Sequence, residues 1–318
     1  MKTVNHRKPE ASALRQLFQE QWKYFLDLID QRDNRKQHYQ QNSEKVSAAI
    51  ESVVAGTDVR MRGIGSYKKR LRESVSTVLN YVENMVDGLP TAIDVNRKTF
   101  SDNPLVNAFF VNQNDLQNIF SRCKELHSFF QTTDHDQLDE VYALLFVNKT
   151  DKTVFGNELK EDMLVSDVMQ VLINFSEHQI LFPSATEQHV RKSLESLLFD
   201  NIVDYIKVHM TRLHHQQMQD SPQNKLTMDR SLKNPEIYLQ SLIDYLNKPI
   251  EFLQQQDIML KISKVGILVS DEYSGNANEL YLNTVKIGDQ PQRIIVLVRY
   301  PKNEMLPIKK IIDQALKY

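Results

Sequence analysis

VYALLFVNKTDKTVFGNELKEDMLVSDVMQVLINFSEHQILFP, residues Val141–Pro183, is the stretch that decides between an all-helical chain and one containing a sheet. Val141 to Val147 is a near-continuous apolar run of strand length, rich in the residues that fit a pleated surface. Asn148-Lys149-Thr150-Asp151-Lys152 reads as a turn, because its side chains compete for local backbone hydrogen bonds. Thr153 to Phe155 then starts a return strand. Val165 to Phe175 is a second apolar run, and Gln179 to Phe182 a short third one ending at Pro183. Ser176-Glu177-His178 between them reads as a hairpin turn. The expectation is a small antiparallel sheet confined to residues 141–183.

Working outward, the flanks read as helix. Leu14, Phe18, Trp22, Phe25 and Ile29 recur at steps of three and four, which is one helical face. The face lapses from Gln31 to Lys45 and resumes at Val46, Ile50 and Val53, with Gly56 as a left-handed stop. Leu71, Val75, Val78, Val82 and Val86 mark a second helix, ended by Gly88-Leu89-Pro90. Ala92 to Val95 reads as a short strand. Asn103-Pro104 opens a helix, and the next carries Leu116, Ile119, Phe120, Cys123, Leu126 and Phe130. Beyond Pro183, the longest helix runs from about Glu187 to Met218 and gives way to a polar stretch at Ser221-Pro222. Another helix begins at Pro235. Pro249 kinks or ends it, and helical pattern resumes to about Leu260. Ile262–Val269, Glu279–Ile287 and Arg293–Arg299 form a three-stranded meander, closed by a helix from Ile308 to Leu316. The predicted fold is α+β, with long amphipathic helices predominating over two small antiparallel β elements. The predicted segments are a helical 1–56, a mixed body over 57–220, and a C-terminal unit over 221–318.

Composition narrows the chemistry. The 318 residues carry 39 basic and 41 acidic side chains, a net charge of −2. Bulk charge therefore gives no general attraction to polyanions. One cysteine, Cys123, excludes an internal disulfide and thiolate metal clusters. The first residues, MKTVNHRKPE, lack the apolar core of a signal peptide, and no run reaches the length of a membrane span. The expected compartment is the cytoplasm.

One stretch departs from this even balance. Gly56–Arg72, GTDVRMRGIGSYKKRLR, holds three of the eight glycines and six basic side chains against one acid, Asp58. Its anion-binding candidates are Arg60, Arg62, Gly63, Gly65, Ser66, Lys68, Lys69, Arg70 and Arg72. A helix start offers unpaired N–H groups and a positive dipole end, and glycine lets an anion approach. The stretch is neither a Walker A loop nor a dinucleotide fingerprint. The competing reading is a turn between helices whose cations pair with acidic neighbours.

Other chemistry-bearing residues are scattered. His189, His209, His214 and His215 lack the three- or four-residue spacing that puts two imidazoles on one helical face. Asp134-His135-Asp136 reads as a polar helix start rather than a metal site. Ser176-Glu177-His178 has no nucleophile elbow and no acid partner in sequence. Cys123 sits in apolar helical spacing, as buried inert thiols do. No catalytic residue, metal or cofactor is assigned from the sequence.

Two resemblances attach to the central stretch. Val154 to Pro183 is similar to a group of uncharacterised bacterial proteins of about this size, which implies no activity or residue role. Asn174-Phe175-Ser176 resembles the Asn/Asp-x-Ser element of PilZ-type cyclic-dinucleotide receptors. That element continues with two residues and a glycine, where this chain has Gln179, and no Arg-x-x-x-Arg arm precedes Val141.

Amphipathic helices with polar outer faces imply helix–helix association. The functional expectation is a non-enzymatic intracellular protein-interaction or regulatory protein, self-associating or bound to a protein partner through coiled-coil-like contacts. The alternative is a module for a phosphate-bearing ligand (nucleic acid, nucleotide or anionic membrane) acting through residues 60–72.

Overall fold

A computed structural model describes residues 43–132, 135, 137–160, 163–220, 234–269, 276–307 and 311. The expected Leu14–Ile29 stripe, the Ser221-Pro222 linker and nearly all of the closing helix lie outside these residues, as do Asp134 and Asp136 and the side chains of His214 and His215.

The described helices are α1 (43–56), α2 (Tyr67–Asp87), α3 (Arg97–Asp102), α4 (Pro104–Phe109), α5 (Gln113–Arg122), α6 (Lys124–Gln131), α7 (Glu187–Asp220) and α8 (Pro235–Leu246). The strands are β1 (Ile93–Asp94), β2 (Glu140–Lys160), β3 (Met163–Ser184), β4 (Leu253–Ser263), β5 (Ala277–Ile287) and β6 (Arg293–Pro301). They form one six-stranded sheet in the order β3-β2-β6-β5-β4, and β1 adds to β6 in parallel. This overturns the expectation of dominant long helices and two small β elements. The two apolar stretches read as separate sheets meet at β6, which pairs with β2 from Val147↔Ile294 to Glu140↔Pro301.

Three local misreadings account for the difference. Asn148–Lys152 is not a turn, since β2 runs straight through it, with Lys149 opposite Phe175 and Asp151 opposite Ile173. Ser176–His178 is not a hairpin turn either. Between Phe146↔Gln179 and Asn148↔Ser176, β3 advances three residues while β2 advances two, so β3 carries a bulge there. The same two-against-three step recurs between Tyr142 and Leu144 and between Gly156 and Glu158. Each bulge holds a non-glycine residue at positive φ: Phe182 (56°), Glu177 (53°) and Asp167 (58°). Bulges increase local twist, and three on one strand curl the sheet. Finally, the segment read as helix up to Leu260 is β4, and the expected strand Ile262–Val269 ends at Ser263 in a turn. That turn closes the curl. Ile173 N donates to Gly266 O at 2.9 Å and Leu268 N to Val171 O at 2.8 Å, so the segment after β4 ties onto β3 at the opposite edge of the sheet.

Along residues 141–147 of β2 and along β6, both faces of the sheet are covered, which explains the unbroken apolar run of β2. Leu144 and Phe146 face one core with α1, α2, α7 and α8, while Val141, Ala143, Leu145 and Val147 face a second core with α4, α5 and α6. On β6, Ile295 and Leu297 face the first core and Ile294, Val298 and Tyr300 the second. A strand buried on both sides needs no polar alternation. The stripe Leu71, Val75, Val78, Val82 and Val86 is fully covered within the first core.

Two helix boundaries fall where expected, and two expectations are corrected. Asn103 caps α4 through Leu105 N, with Pro104 at the first position, and Gly88 ends α2. Cys123 divides the helix read across 116–130 into α5 and α6 because its ψ is 113°. Gly56 plays a different part from the one expected. Among the described glycines only Gly266 and Gly288 have positive φ. A Cβ at Gly56 would meet Val203 Cγ1 at 3.0 Å, so that glycine allows α1 close to α7.

One polar joint holds the helical layer together. Arg191, in the first turns of α7, reaches the C-terminal end of α2. Its Nη1 donates to Val86 O at 2.6 Å, and its Nη2 to Leu89 O at 3.0 Å and Pro90 O at 2.9 Å. Its Nε donates to Glu187 Oε1 at 2.8 Å, and Glu187 Oε2 accepts from Ala92 N at 3.0 Å.

Candidate functional site

The basic stretch folds as a short 3-10 helix, Val59–Gly63, followed by α2. Asp58 caps the first, accepting from Arg60 N at 2.9 Å. The Asp58 carboxylate also takes the Arg60 guanidinium through Nε and Nη2, at 3.0 and 2.6 Å. Ser66 stands at the N-cap of α2 without making a side-chain cap bond, and no acid lies in the first turn. Gly63 and Gly65 face open space.

The cations of the stretch meet acids contributed by its neighbours. Glu51, on α1, receives Lys68 Nζ at 2.8 Å, Arg62 Nη2 at 3.3 Å and the Tyr67 hydroxyl at 2.7 Å. The Lys68 ammonium and the Tyr67 hydroxyl hold the Glu51 carboxyl down at about 2. Arg60 likewise lowers Asp58. From α8, Glu236 pairs with Arg70 Nη1, and Gln240 Oε1 accepts from Arg70 Nη2 at 3.3 Å. Arg72 Nη2 reaches Ser43 Oγ at 3.4 Å. Lys69 is exposed and makes no ion pair among the described residues. The stretch thus joins α1, α2 and α8. The sequence could not reveal Glu236 as a partner, since it lies 166 residues away.

The scattered candidates stay apart. Cys123 Sγ lies 3.2 Å from Glu125 Oε2 and 3.7 Å from Ile180 O, and burial pushes its thiol up to about 11. A thiol so raised is a poor nucleophile. His178 Nε2 lies 2.7 Å from Phe109 O, its ring stacks on Phe110 at 5.0 Å, and burial lowers its pKa. Asn174 and Ser176 are strand residues on either side of Phe175, opposite Thr150 and Asn148. His135 stacks on Phe129 at 4.1 Å, and His209 sits among Tyr205, Tyr245 and Phe252. Among the described residues, no three His, Cys, Asp or Glu side chains gather as a metal site would require.

A different surface emerges from the hairpin itself. β6 covers β2 only as far as Val147, and the 266–268 tie reaches β3 only at Val171–Ile173. Beyond Thr153↔Val171 the two strands pair only with each other among the described residues. At about 3.3 Å per residue, the seven remaining β2 positions make an arm of roughly 23 Å. Phe155 and Met169 stand opposite each other on it, 74% and 69% exposed. A two-stranded ribbon is marginal in water by itself, and open strand edges are templates for pairing. A second exposed apolar pair, Met259 and Tyr281, lies across β4 and β5. The sequence hid the arm because Asn148–Lys152, taken as a turn, cut β2 in two.

No family model, curated protein or solved structure matches this chain. No described helix is long and apolar enough to cross a membrane.

Proposed function

We propose that this chain is a non-enzymatic cytoplasmic interaction or regulatory protein whose contact element is the β2–β3 arm. The supporting observation is the exposed Phe155–Met169 pair on a ribbon whose edges pair with no third strand among the described residues. A buried pair of that kind would add hydrophobic stabilisation on the order of 1.5–3 kcal/mol per side chain. The helical stripes expected to mediate contacts are covered inside the chain on α2 and α7, so the arm takes their place. The phosphate-binding alternative has weaker support. Glu51, Asp58 and Glu236 already pair with Arg60, Arg62, Lys68 and Arg70 among the cations at residues 60–72.

Photo-crosslinking in living cells tests this reading, with a benzophenone side chain at position 155 and a control at exposed Val111. Discrete adducts at 155 and none at 111 support arm-mediated contact. Absence of adducts at both positions, with the protein folded, ends the reading.

A further inference from the structure

We infer that the arm's occupant is a second copy of this chain, paired edge to edge through β2 about a two-fold axis at Phe155; this rests on the arm being a contact element. Opposite residues of an antiparallel pair share one face of the sheet. A two-fold that runs two copies of one strand antiparallel must therefore set some residue opposite itself. Keeping about seven residues paired within Asn148–Lys160 limits the centre to Asp151–Asn157, and charge separates the centres in that range. Centred on Phe155, Lys152 stands opposite the other copy's Glu158, and Glu158 opposite its Lys152. Thr153 then meets Asn157, and Val154 meets Gly156. Centred on Gly156, the same geometry sets Lys152 against Lys160. Centred on Val154 or Thr153, it leaves Lys152 with no acid opposite.

Three further observations suit the Phe155 centre. First, β2 is regular through this region, because the extra residue of the nearby bulge lies on β3, where Asp167 has φ 58°. A straight edge is what pairing needs. Second, Met169 is the β3 partner of Phe155, so the joined sheet would carry Met169, Phe155, Phe155 and Met169 in one row on one face. Aromatic and long apolar side chains in directly opposed positions stabilise a sheet. Third, the overlap runs from Thr150 to Lys160 and stops short of Val147, where β6 already occupies the edge.

The test is charge reversal read by sedimentation velocity on the full chain. The wild type is expected to be in concentration-dependent monomer–dimer exchange. Lys152→Glu and Glu158→Lys each convert two attractions into two repulsions, and each should weaken dimerisation about 10- to 100-fold. An equimolar mixture of the two variants should recover the dimer as a heterodimer, because positions 152 and 158 then carry opposite charges at both crossings between the two chains. In a Cys123→Ser background, Phe155→Cys should form an intermolecular disulfide and Met169→Cys should not. A wild type that stays monomeric overturns the second-copy proposal, as does a mixture no tighter than its components. If position 155 still crosslinks to another protein in that case, the contact reading survives and only its occupant changes.

Discussion

Replacing Arg191 with methionine keeps the apolar stem and deletes the guanidinium that spans α7 and the end of α2. Three losses follow. A cation at the C-terminal carbonyls of α2 interacts with the helix dipole, worth about 0.5 kcal/mol at a partly exposed site. The Glu187–Arg191 pair, four residues apart on α7, adds about 0.5 kcal/mol. The carbonyls matter most. Pro90 is exposed and its carbonyl can take water instead, whereas Val86 and Leu89 are buried. Losing charged donors there costs about 1–2 kcal/mol. The expected total is about 2–3 kcal/mol, or a fall in Tm of about 3–5 °C. Equilibrium urea unfolding followed by circular dichroism measures it, with Arg62→Met as a surface-pair control expected to stay within about 0.5 kcal/mol. An R191M midpoint indistinguishable from the control would refute the view that this joint holds the helical layer together.

Two further outcomes follow from single residues. The Glu51 carboxyl, held at about 2 against an ordinary 4.5, contributes stability that is full above pH 4.5 and is lost as pH falls towards 2. Urea midpoints taken across that window should slope less steeply in Glu51→Gln than in the wild type, and equal slopes would discount the Lys68 and Tyr67 contacts. At Glu177, whose φ is 53°, a β-branched residue is strained and glycine is not. Glu177→Val should be less stable than Glu177→Gly by about 1–2 kcal/mol, and equal stability would mean that β3 has no bulge there.

How much of this could be read from the sequence depended on whether the deciding contact was local. The stripes of α2 and α7, the Asn103-Pro104 start and the Gly88 stop are set within a few residues, and all were legible. The sheet was not. Asn148–Lys152 has turn composition, yet it sits where β2 leaves the double-sided core and its side chains meet water. Polar residues are allowed there because burial has ended, not because the chain reverses. Likewise Ser176-Glu177-His178 interrupts an apolar run because a bulge shifts the register. In the 249–260 segment, Gln254-Gln255-Gln256 gives no strand periodicity; pairing with β5 makes it a strand. At the basic stretch, Asp58 was visible as the local acid. Glu51 and Glu236 were not, because their roles depend on where α1 and α8 pack. The arm could not be found while β2 was read as two pieces.

The unbroken course of β2 also makes it a lever. Its root is gripped between two separate cores, with Leu144 and Phe146 on one side and Ala143 and Leu145 on the other. Beyond Thr153 it runs on for roughly 23 Å paired only with β3 among the described residues. A sideways load on the tip turns the root about the β6 ladder, pressing one row of side chains inward while drawing the other out. Interiors packed to crystal density resist both displacements. A load on the arm therefore works against both helical layers at once, and a change in either layer alters the angle of the arm.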